Sequence, residues 1–366
     1  MRKGWEYKRW KEVLTIINGK NQSAVVDENG EYPIYGSGGI MGYANNWLCP
    51  ENCVIIGRKG NINKPIFVET KFWNVDTAFG LNANKEYLLP KFLYYFCLDY
   101  NFERHNKAVT IPSLTKADLL KIDIPLPPQS TQLAIVSELD KINELIRLKK
   151  EQLKDFGNLA QSLFYEMFGD PVENEMGWEV KTFGEIGSVE RGAGISKKDF
   201  VKEGLPCIHY GQLHTILGPR TTKHFTSIPH NLLPKYKIAH TGDLVMAITS
   251  EDVEGSCKST VWLGDYDIIV GSDAAIFHHK QDGTFLSYYT MTKAFFNEKA
   301  KYAKGFKVTH ISAKEIEKIP VYLPPLPLQR LFAQRIEQIE REKSEVQKSI
   351  QDLETLLASR MQYWFE

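Results

Sequence analysis

The sequence predicts an α+β protein: two mixed α/β domains in tandem, separated and joined by two long helices that form an antiparallel coiled coil, an internal repeat with pseudo-two-fold character. Three observations predict it. The chain repeats itself at two offsets, each copy ends in a heptad stripe, and the middle of each copy carries short β-like runs between turn residues.

The repeat opens and closes each copy. Gly4-Trp5-Glu6-Tyr7-Lys8 recurs 173 residues later as Gly177-Trp178-Glu179-Val180-Lys181, each followed by an aromatic (Trp10, Phe183). Further on, Leu126-Pro127-Pro128 recurs as Leu323-Pro324-Pro325 at an offset of 197, which holds to Gln132 and Gln329 and to Phe168 and Phe365. The expected division is therefore 1–125 for the first domain, 126–176 for a helical spacer and linker, 177–322 for the second domain and 323–366 for the second spacer. The copies agree at their edges and differ in their middles. Edges that agree build a shared scaffold, and middles that differ perform related but non-identical tasks.

The helical segments follow. Apolar side chains at Leu139, Ile142, Ile146, Leu153 and Phe156, continuing to Ala160, Leu163 and Met167, alternate by three and four, with Lys149 as the break. The second copy places Ile336, Ile339, Val346, Ile350 and Leu353 in the same rhythm. A helix over 132–168 would be about 55 Å long. Such a helix cannot bury a narrow apolar seam alone, and its own repeat is the natural partner. A whole globular region precedes the second helix, so an antiparallel pair is the simplest arrangement; the alternative is that each helix packs on its own domain.

The middles read as short strands and short helices. Val54-Ile55-Ile56, Ile66-Phe67-Val68, Leu244 to Ile248 and Ile268-Ile269-Val270 are β-branched or apolar runs bounded by Gly, Asn, Pro and Asp. Short helices are expected over Pro90–Tyr100 and Phe285–Lys301, beside a mainly antiparallel or irregular sheet.

Composition narrows the function classes. The 366 residues hold 45 basic and 45 acidic side chains, which excludes a uniformly basic surface. By segment the balance is +3, −4, +2 and −1, so the domains are mildly basic and the helical segments, linker included, acidic. No leader-like apolar region follows the first charges, and no stretch of about 18 apolar residues occurs, so a cytoplasmic protein is expected. Cys49, Cys53, Cys97, Cys207 and Cys257 are odd in number and scattered, as reduced thiols would be.

Candidate binding residues lie in the middles. In the first domain Tyr35, Ser37 and Gly38 sit in a glycine-rich stretch, and Arg58, Lys59, Asn61 and Lys64 follow a strand run. Arg and Lys reach guanine edges and phosphates, Asn pairs with adenine, and glycine lets the backbone approach. Both stretches fit a DNA-contacting loop; a solvated hairpin turn is the alternative. The second domain offers Arg191, Tyr210, Thr249, Ser250 and Lys258, and a cationic stretch of Lys299, Lys301, Lys304 and Lys307 interleaved with Tyr302 and Phe306. Lys107 occupies the place in the first copy that corresponds to this stretch.

No catalytic or metal-ligating residue is expected. The chain has no Gly-x-Ser-x-Gly elbow, no His-Glu-x-x-His helix, no phosphate-binding Gly-Lys-Ser/Thr loop and no Cys/His metal spacing. His278-His279, His209 and His214 read as core or surface histidines. The Leu-Pro-Pro motifs lack the polar residue before, and the aromatic after, the prolines that an amino-methyltransferase site needs.

Two variable domains, each opening on Gly-Trp-Glu and closing on Ile-Pro-Leu-Pro-Pro-like junctions into a long helix, resemble the specificity subunit of Type I restriction-modification enzymes. The resemblance covers essentially the whole chain. Residues 32–43 (YPIYGSGGIMGY), 54–62 (VIIGRKGNI) and 72–79 (FWNVDTAF) resemble one common type of target-recognition domain. One departure is visible: where the family commonly carries Glu-Gln after the prolines, Thr131-Gln132 and Leu328-Gln329 keep only the Gln, which bears on a local cap or subunit contact.

The resemblance implies a non-catalytic subunit in which each domain reads one half of a bipartite double-stranded DNA target, while the coiled coil sets the spacer and docks partners. Those partners would be two methyltransferase subunits, which bind S-adenosylmethionine and methylate adenine, and restriction subunits, which use ATP and Mg to translocate and cut. This chain itself would hold no cofactor. The helix ends Phe164-Tyr165-Met167-Phe168 and Tyr363-Trp364-Phe365 are candidate docking surfaces or, equally, caps on the coiled coil. Two alternatives share the pattern: a recognition subunit for a fused nuclease-methyltransferase, and a coiled-coil scaffold that binds protein alone.

Overall fold

The structure is a computed structural model that describes residues 4–106, 111–195, 197–230, 237–305 and 308–365. It resolves into two compact units, residues 1–151 with 347–366, and residues 152–346. Each unit thus holds one domain and one half of each long helix.

Unit 1 begins with β1 (Glu6–Arg9), α1 (Trp10–Val13), β2 (Leu14–Asn18), β3 (Tyr32–Gly36) and β4 (Gly39–Ala44). It continues through β5 (Cys53–Gly57), β6 (Ile66–Val68), β7 (Trp73–Asn74), β8 (Ala78–Ala83), α2 (Pro90–Asp99), α3 (Lys116–Leu119) and β9 (Asp123–Leu126), then enters α4 (Gln129–Phe168). An antiparallel sheet runs in the order β2-β8-β5-β6, and a second sheet runs β4-β3-β7, with β3 and β7 parallel. β1 pairs with β9, which brings the two edges of the domain together.

Unit 2 follows the same plan. It contains β10 (Glu179–Thr182), α5 (Phe183–Ile186), β11 (Gly187–Arg191), β12 (Leu205–Ile208), α6 (Tyr210–Thr215), β13 (Arg220–Thr221), β14 (Thr226–Ile228) and β15 (Lys237–Ala239). Next come β16 (Leu244–Ala247), β17 (Thr249–Ser250), β18 (Ser259–Trp262), β19 (Ile268–Val270) and β20 (Ala274–His279). The unit closes with α7 (Gly283–Tyr289), α8 (Lys293–Ala300), β21 (Thr309–His310), α9 (Ala313–Ile316), β22 (Pro320–Leu323) and α10 (Leu326–Phe365), which returns to unit 1. Its main sheet runs β11-β20-β16-β18-β13, its second sheet β14-β12-β19-β15, and β10 pairs with β22. The first four strands of the main sheet repeat the order of unit 1 strand for strand, and the parallel pair β12–β19 repeats β3–β7.

Each unit buries its own core. In unit 1, Trp10, Val54, Ile56, Leu81, Phe92, Phe96 and Leu139 form one cluster, against which Leu357, Trp364 and Phe365 of α10 pack. In unit 2, Phe183, Leu244, Met246, Phe277, Phe285 and Phe332 form another, with Phe164 and Phe168 of α4 inside it. The aromatic helix ends are therefore pieces of the domain cores: Phe164 and Phe168 are buried, and Phe365 meets Phe92 and Phe96. Tyr165, Met167, Trp364 and Phe365 are half-buried and Tyr363 is exposed.

The long helices are uninterrupted over 40 residues each, about 60 Å. α4 begins one residue after Pro127-Pro128, and α10 takes Pro327 into its first turn, where a missing N–H costs nothing. Gly169, at φ +72°, stops α4 in the left-handed conformation. Within unit 1, Glu138 accepts from Arg360 and, at 3.0 Å, from Trp364, while Lys150 pairs with Glu354 at 2.8 Å. Residue numbers rise along one helix as they fall along the other, so the pair is antiparallel. Leu139, Ile142, Ile146, Ile336, Ile339, Val346 and Ile350 are buried in the seam, and Leu153, Phe156 and Leu353 half-buried.

Gln132 and Gln329 explain the single Gln of the junction. Both are wholly buried. Gln132 accepts from Leu89 N at 2.9 Å and donates to Tyr87 O and Pro127 O; Gln329 accepts from Asp282 N at 3.0 Å and donates to Pro324 O and Gln281 Oε1. Each amide ties the start of a long helix to the start of a domain helix. The helix expected over Phe285–Lys301 is in fact two, because Thr292 turns its hydroxyl on Phe295 N and caps α8. No described helix is long and apolar enough to cross a membrane.

Candidate nucleic-acid interface

In unit 1 the two candidate stretches form one surface. The β3–β4 hairpin turns at Ser37 and Gly38 between Gly36 and Gly39, and the chain after β5 carries Arg58 to Lys64. A Cβ placed on Gly38 would lie 3.9 Å from Asn61 Nδ2, and one on Gly60 would lie 3.9 Å from Ser37 Oγ. The second loop is not a loose turn. Ile62 is buried, Gly60 sits at φ +79°, and a Cβ on Gly57 would come within 2.5 Å of Asn61 O, so the loop folds tightly over the end of β5.

That packing leaves the polar side chains outward. Arg58, Lys59, Asn61 and Lys64 are exposed. The Arg58 guanidinium donates to Asp76 O at 3.4 Å and lies over the Phe79 ring, and Lys59 bridges to Ser113. Tyr35 stands apart, packed edge-on to Phe72 at 5.6 Å between ring centroids. It lines a cleft of about 410 Å³ with Lys91, Tyr94 and Asp140, and burial pushes its phenol pKa up. Lys107 lies outside the described residues.

In unit 2, Tyr210, Thr249, Ser250 and Lys258 line one cleft of about 1180 Å³. Tyr210 opens α6 beside His209 and His214, and Lys258 donates to His214 O at 3.3 Å. Ser250 is buried and its hydroxyl accepts from Asp252 N, so it serves the following turn more than the surface. Arg191, at the end of β11, pairs with Asp273 at 3.6 Å. Lys304 exchanges backbone hydrogen bonds with His310 and pairs with Glu315, whose carboxyl is held down to about 2 by that lysine and by the Ser312 cap. Lys307 and Phe306 lie outside the described residues.

Lys299 departs from the expected cationic face. Its ammonium is buried and donates to the carbonyls of Glu254 and Ser256, and burial lowers its pKa. A lysine so placed closes off loop carbonyls and does not meet phosphate. Sequence reasoning missed Asp273, a non-glycine residue at φ +67° between β19 and β20. The Gly271-Ser272-Asp273 turn chemistry between two apolar runs was the available signal.

Comparison with known proteins agrees along the whole chain. The model of the Type I restriction modification DNA specificity domain matches residues 2–155 and again 175–355. The MjaVIII Type I restriction enzyme specificity subunit of Methanocaldococcus jannaschii is 24% identical over 392 aligned residues, covering 96% of this chain and 92% of that protein. The EcoDI Type I specificity subunit of Escherichia coli is 22% identical, covering 94% and 83%. Among solved structures, the Type I restriction-modification S subunit from M. genitalium superposes with a TM-score of 0.59 at 14% identity, over 99% of this chain and 96% of that one. A chain from a study of assembly and conformational transition in the type I R-M system gives 0.62 at 18% identity, over 99% and 97%. At such identities the structures establish the fold, and the two family-model matches, one per copy, establish the lineage. The chain belongs to the Type I restriction modification DNA specificity family.

Proposed function

We propose that this chain is the DNA-reading subunit of a Type I restriction-modification complex, with each unit reading one half of a bipartite double-stranded target. The observation that carries the reading is duplication with divergence: one strand order occurs twice, and the exposed residues that follow its strands differ between the copies. Two copies of one platform with unlike loops suit two unlike half-sites. The unbroken 40-residue helices would set the spacer between them.

Chemistry belongs to partners in this reading. Two methyltransferase subunits would supply S-adenosylmethionine and methylate an adenine drawn out of the stack. Restriction subunits would supply ATP- and Mg-dependent translocation and cleavage, and the chain would hold no cofactor of its own. The helical segments lack the basic excess of the domains, with the acidic residues Asp170, Glu173 and Glu175 following α4, and would face protein in preference to phosphate. With domain balances of only +3 and +2, the isolated subunit would bind DNA weakly.

Co-expression with methyltransferase subunits, followed by genome-wide mapping of methylated adenines, tests the proposal. A bipartite motif is expected. Stable DNA-free complexes with no methylation would instead favour a protein-binding scaffold.

A further inference from the structure

One junction is built identically in the two units and furnished differently. In unit 2, Gly192 N donates to Ala274 O at 2.9 Å, Ile248 N to Asp273 O at 3.0 Å and Ile311 N to Ile248 O at 3.0 Å, and Thr249 pairs with His310. In unit 1, Gly19 N donates to Ala78 O at 3.2 Å, Arg58 N to Thr77 O at 2.8 Å and Leu114 N to Arg58 O at 2.9 Å, and Lys59 pairs with Ser113. The same backbone bonds gather three chain segments around the start of the second strand of the main sheet, β20 or β8.

The side chains on this frame are Arg191, Thr249, Asp273 and His310 in unit 2, and Asn18, Lys59, Thr77 and Ser113 in unit 1. No pair is alike, and all eight are polar and at least partly exposed. A fixed frame with exchanged hydrogen-bonding groups is what two readers of different base edges require.

Asp273 holds the unit 2 set together. Its backbone is left-handed, which aspartate tolerates better than most residues. Its Oδ1 lies 3.6 Å from Arg191 Nη2 and accepts from Thr249 Oγ1 at 3.4 Å, and that hydroxyl lies 3.3 Å from His310 Nδ1. The Arg191 and Asp273 side chains are 58% and 40% exposed, so the pair adds little stability. What it offers is orientation: the contact engages one nitrogen of a largely exposed guanidinium, whose five N–H donors exceed what that contact can use. In unit 1 a guanidinium reaches the same frame from Arg58, aimed by the Asp76 carbonyl instead of a carboxylate.

We infer that this four-residue junction is the base-discriminating cluster of each unit, and that in unit 2 Asp273 is the positioning residue that aims Arg191 at a base edge. The inference rests on the proposed DNA-reading function.

The test uses the assembled complex with its methyltransferase subunits and a random-sequence duplex library, from which bound duplexes are sequenced. Asp273→Asn keeps the size and the tolerance for positive φ and removes the charge. It is expected to relax discrimination roughly tenfold at one base pair of one half-site and to leave the other half-site unchanged. Arg191→Ala should relax the same base pair, and Asp273→Asn should add nothing in that background. An Asp273→Asn profile identical to wild type would overturn the inference. So would uniform weakening on all duplexes with a lowered melting temperature, the mark of a merely structural role. A wild-type complex with no base preference would instead overturn the DNA-reading function itself.

Discussion

Unit 1 and unit 2 keep the same strand order while sharing little sequence between their edges. β5 and β16 occupy one place in the main sheet, and both are buried at every residue, yet one reads Cys-Val-Ile-Ile-Gly and the other Leu-Val-Met-Ala. Unit 2 adds β13 at the outer edge, β15 on the second sheet and α6 beneath the large cleft. The difference teaches that burial on both faces demands only apolar character and volume from these strands, so their letters drift freely. The joints that are kept in sequence, such as Gln132 and Gln329, are those where a specific hydrogen-bonding shape is needed.

The comparison can be broken first at Phe332, which is wholly buried and touches Phe164, Phe168 and Tyr288. Phe332→Ala should cost unit 2 about 3–5 kcal/mol. Hydrogen exchange by segment checks it: amides of unit 2 should lose protection well before those of the β2-β8-β5-β6 sheet. Equal loss in both would mean that the units unfold as one.

Acid should separate the units next. Burial pushes the His279 pKa down to about 4, and its counterpart in the repeat is Ala83. A histidine held neutral when folded, but charged below about 6.5 when unfolded, contributes stability that is present above pH 6.5 and lost as pH falls toward 4. The loss is on the order of 3 kcal/mol. Denaturation midpoints of wild type and His279→Ala, compared between pH 7 and 4.5, should show the steeper decline in wild type; parallel declines would exclude the histidine as the cause.

Replacing the joint amides probes the kept positions. Gln132→Leu and Gln329→Leu each strand a part-buried backbone N–H and a buried carbonyl, and each should cost about 2 kcal/mol in urea unfolding. Gln132, with three backbone partners against two for Gln329, should be the costlier of the pair. At the small end stands Lys150–Glu354, exposed on both sides, whose repeat counterparts Gln347 and Gly157 carry no charge. Lys150→Ala should change stability by less than about 0.5 kcal/mol, and a larger effect would show the helix pair to be more dependent on surface charge than its exposure allows.

Much of this architecture was legible because it is local. The heptad stripe, the turn residues flanking Val54–Ile56 and Ile268–Val270, and the paired Gly-Trp-Glu openings state their roles within a few residues. The parallel pairs β3–β7 and β12–β19 were not legible, since each joins segments some 40 to 60 residues apart and no short-range pattern encodes a partner. The break at Thr290–Thr292 was hidden by apolar residues on either side that fit one helix as well as two. In the candidate interface, Arg58 and Lys59 announced themselves as cations after a strand. Asp273 did not, because its importance lies in what Arg191 and Thr249 bring to it from distant parts of the chain.

The division of the long helices between the units has a consequence for synthesis. Unit 2 is one continuous stretch, residues 152–346, whereas unit 1 needs residues 1–151 and then 347–366, which deliver Met361, Trp364 and Phe365 to its core. On the ribosome the first domain emerges first but lacks a wall. Trp5, Phe92 and Phe96 wait for their partners on α10 while the intervening chain is made, roughly 10 to 40 s at ordinary elongation rates. The half that is translated first is the half completed last, and its unfinished core is the surface a chaperone would meet on the nascent chain.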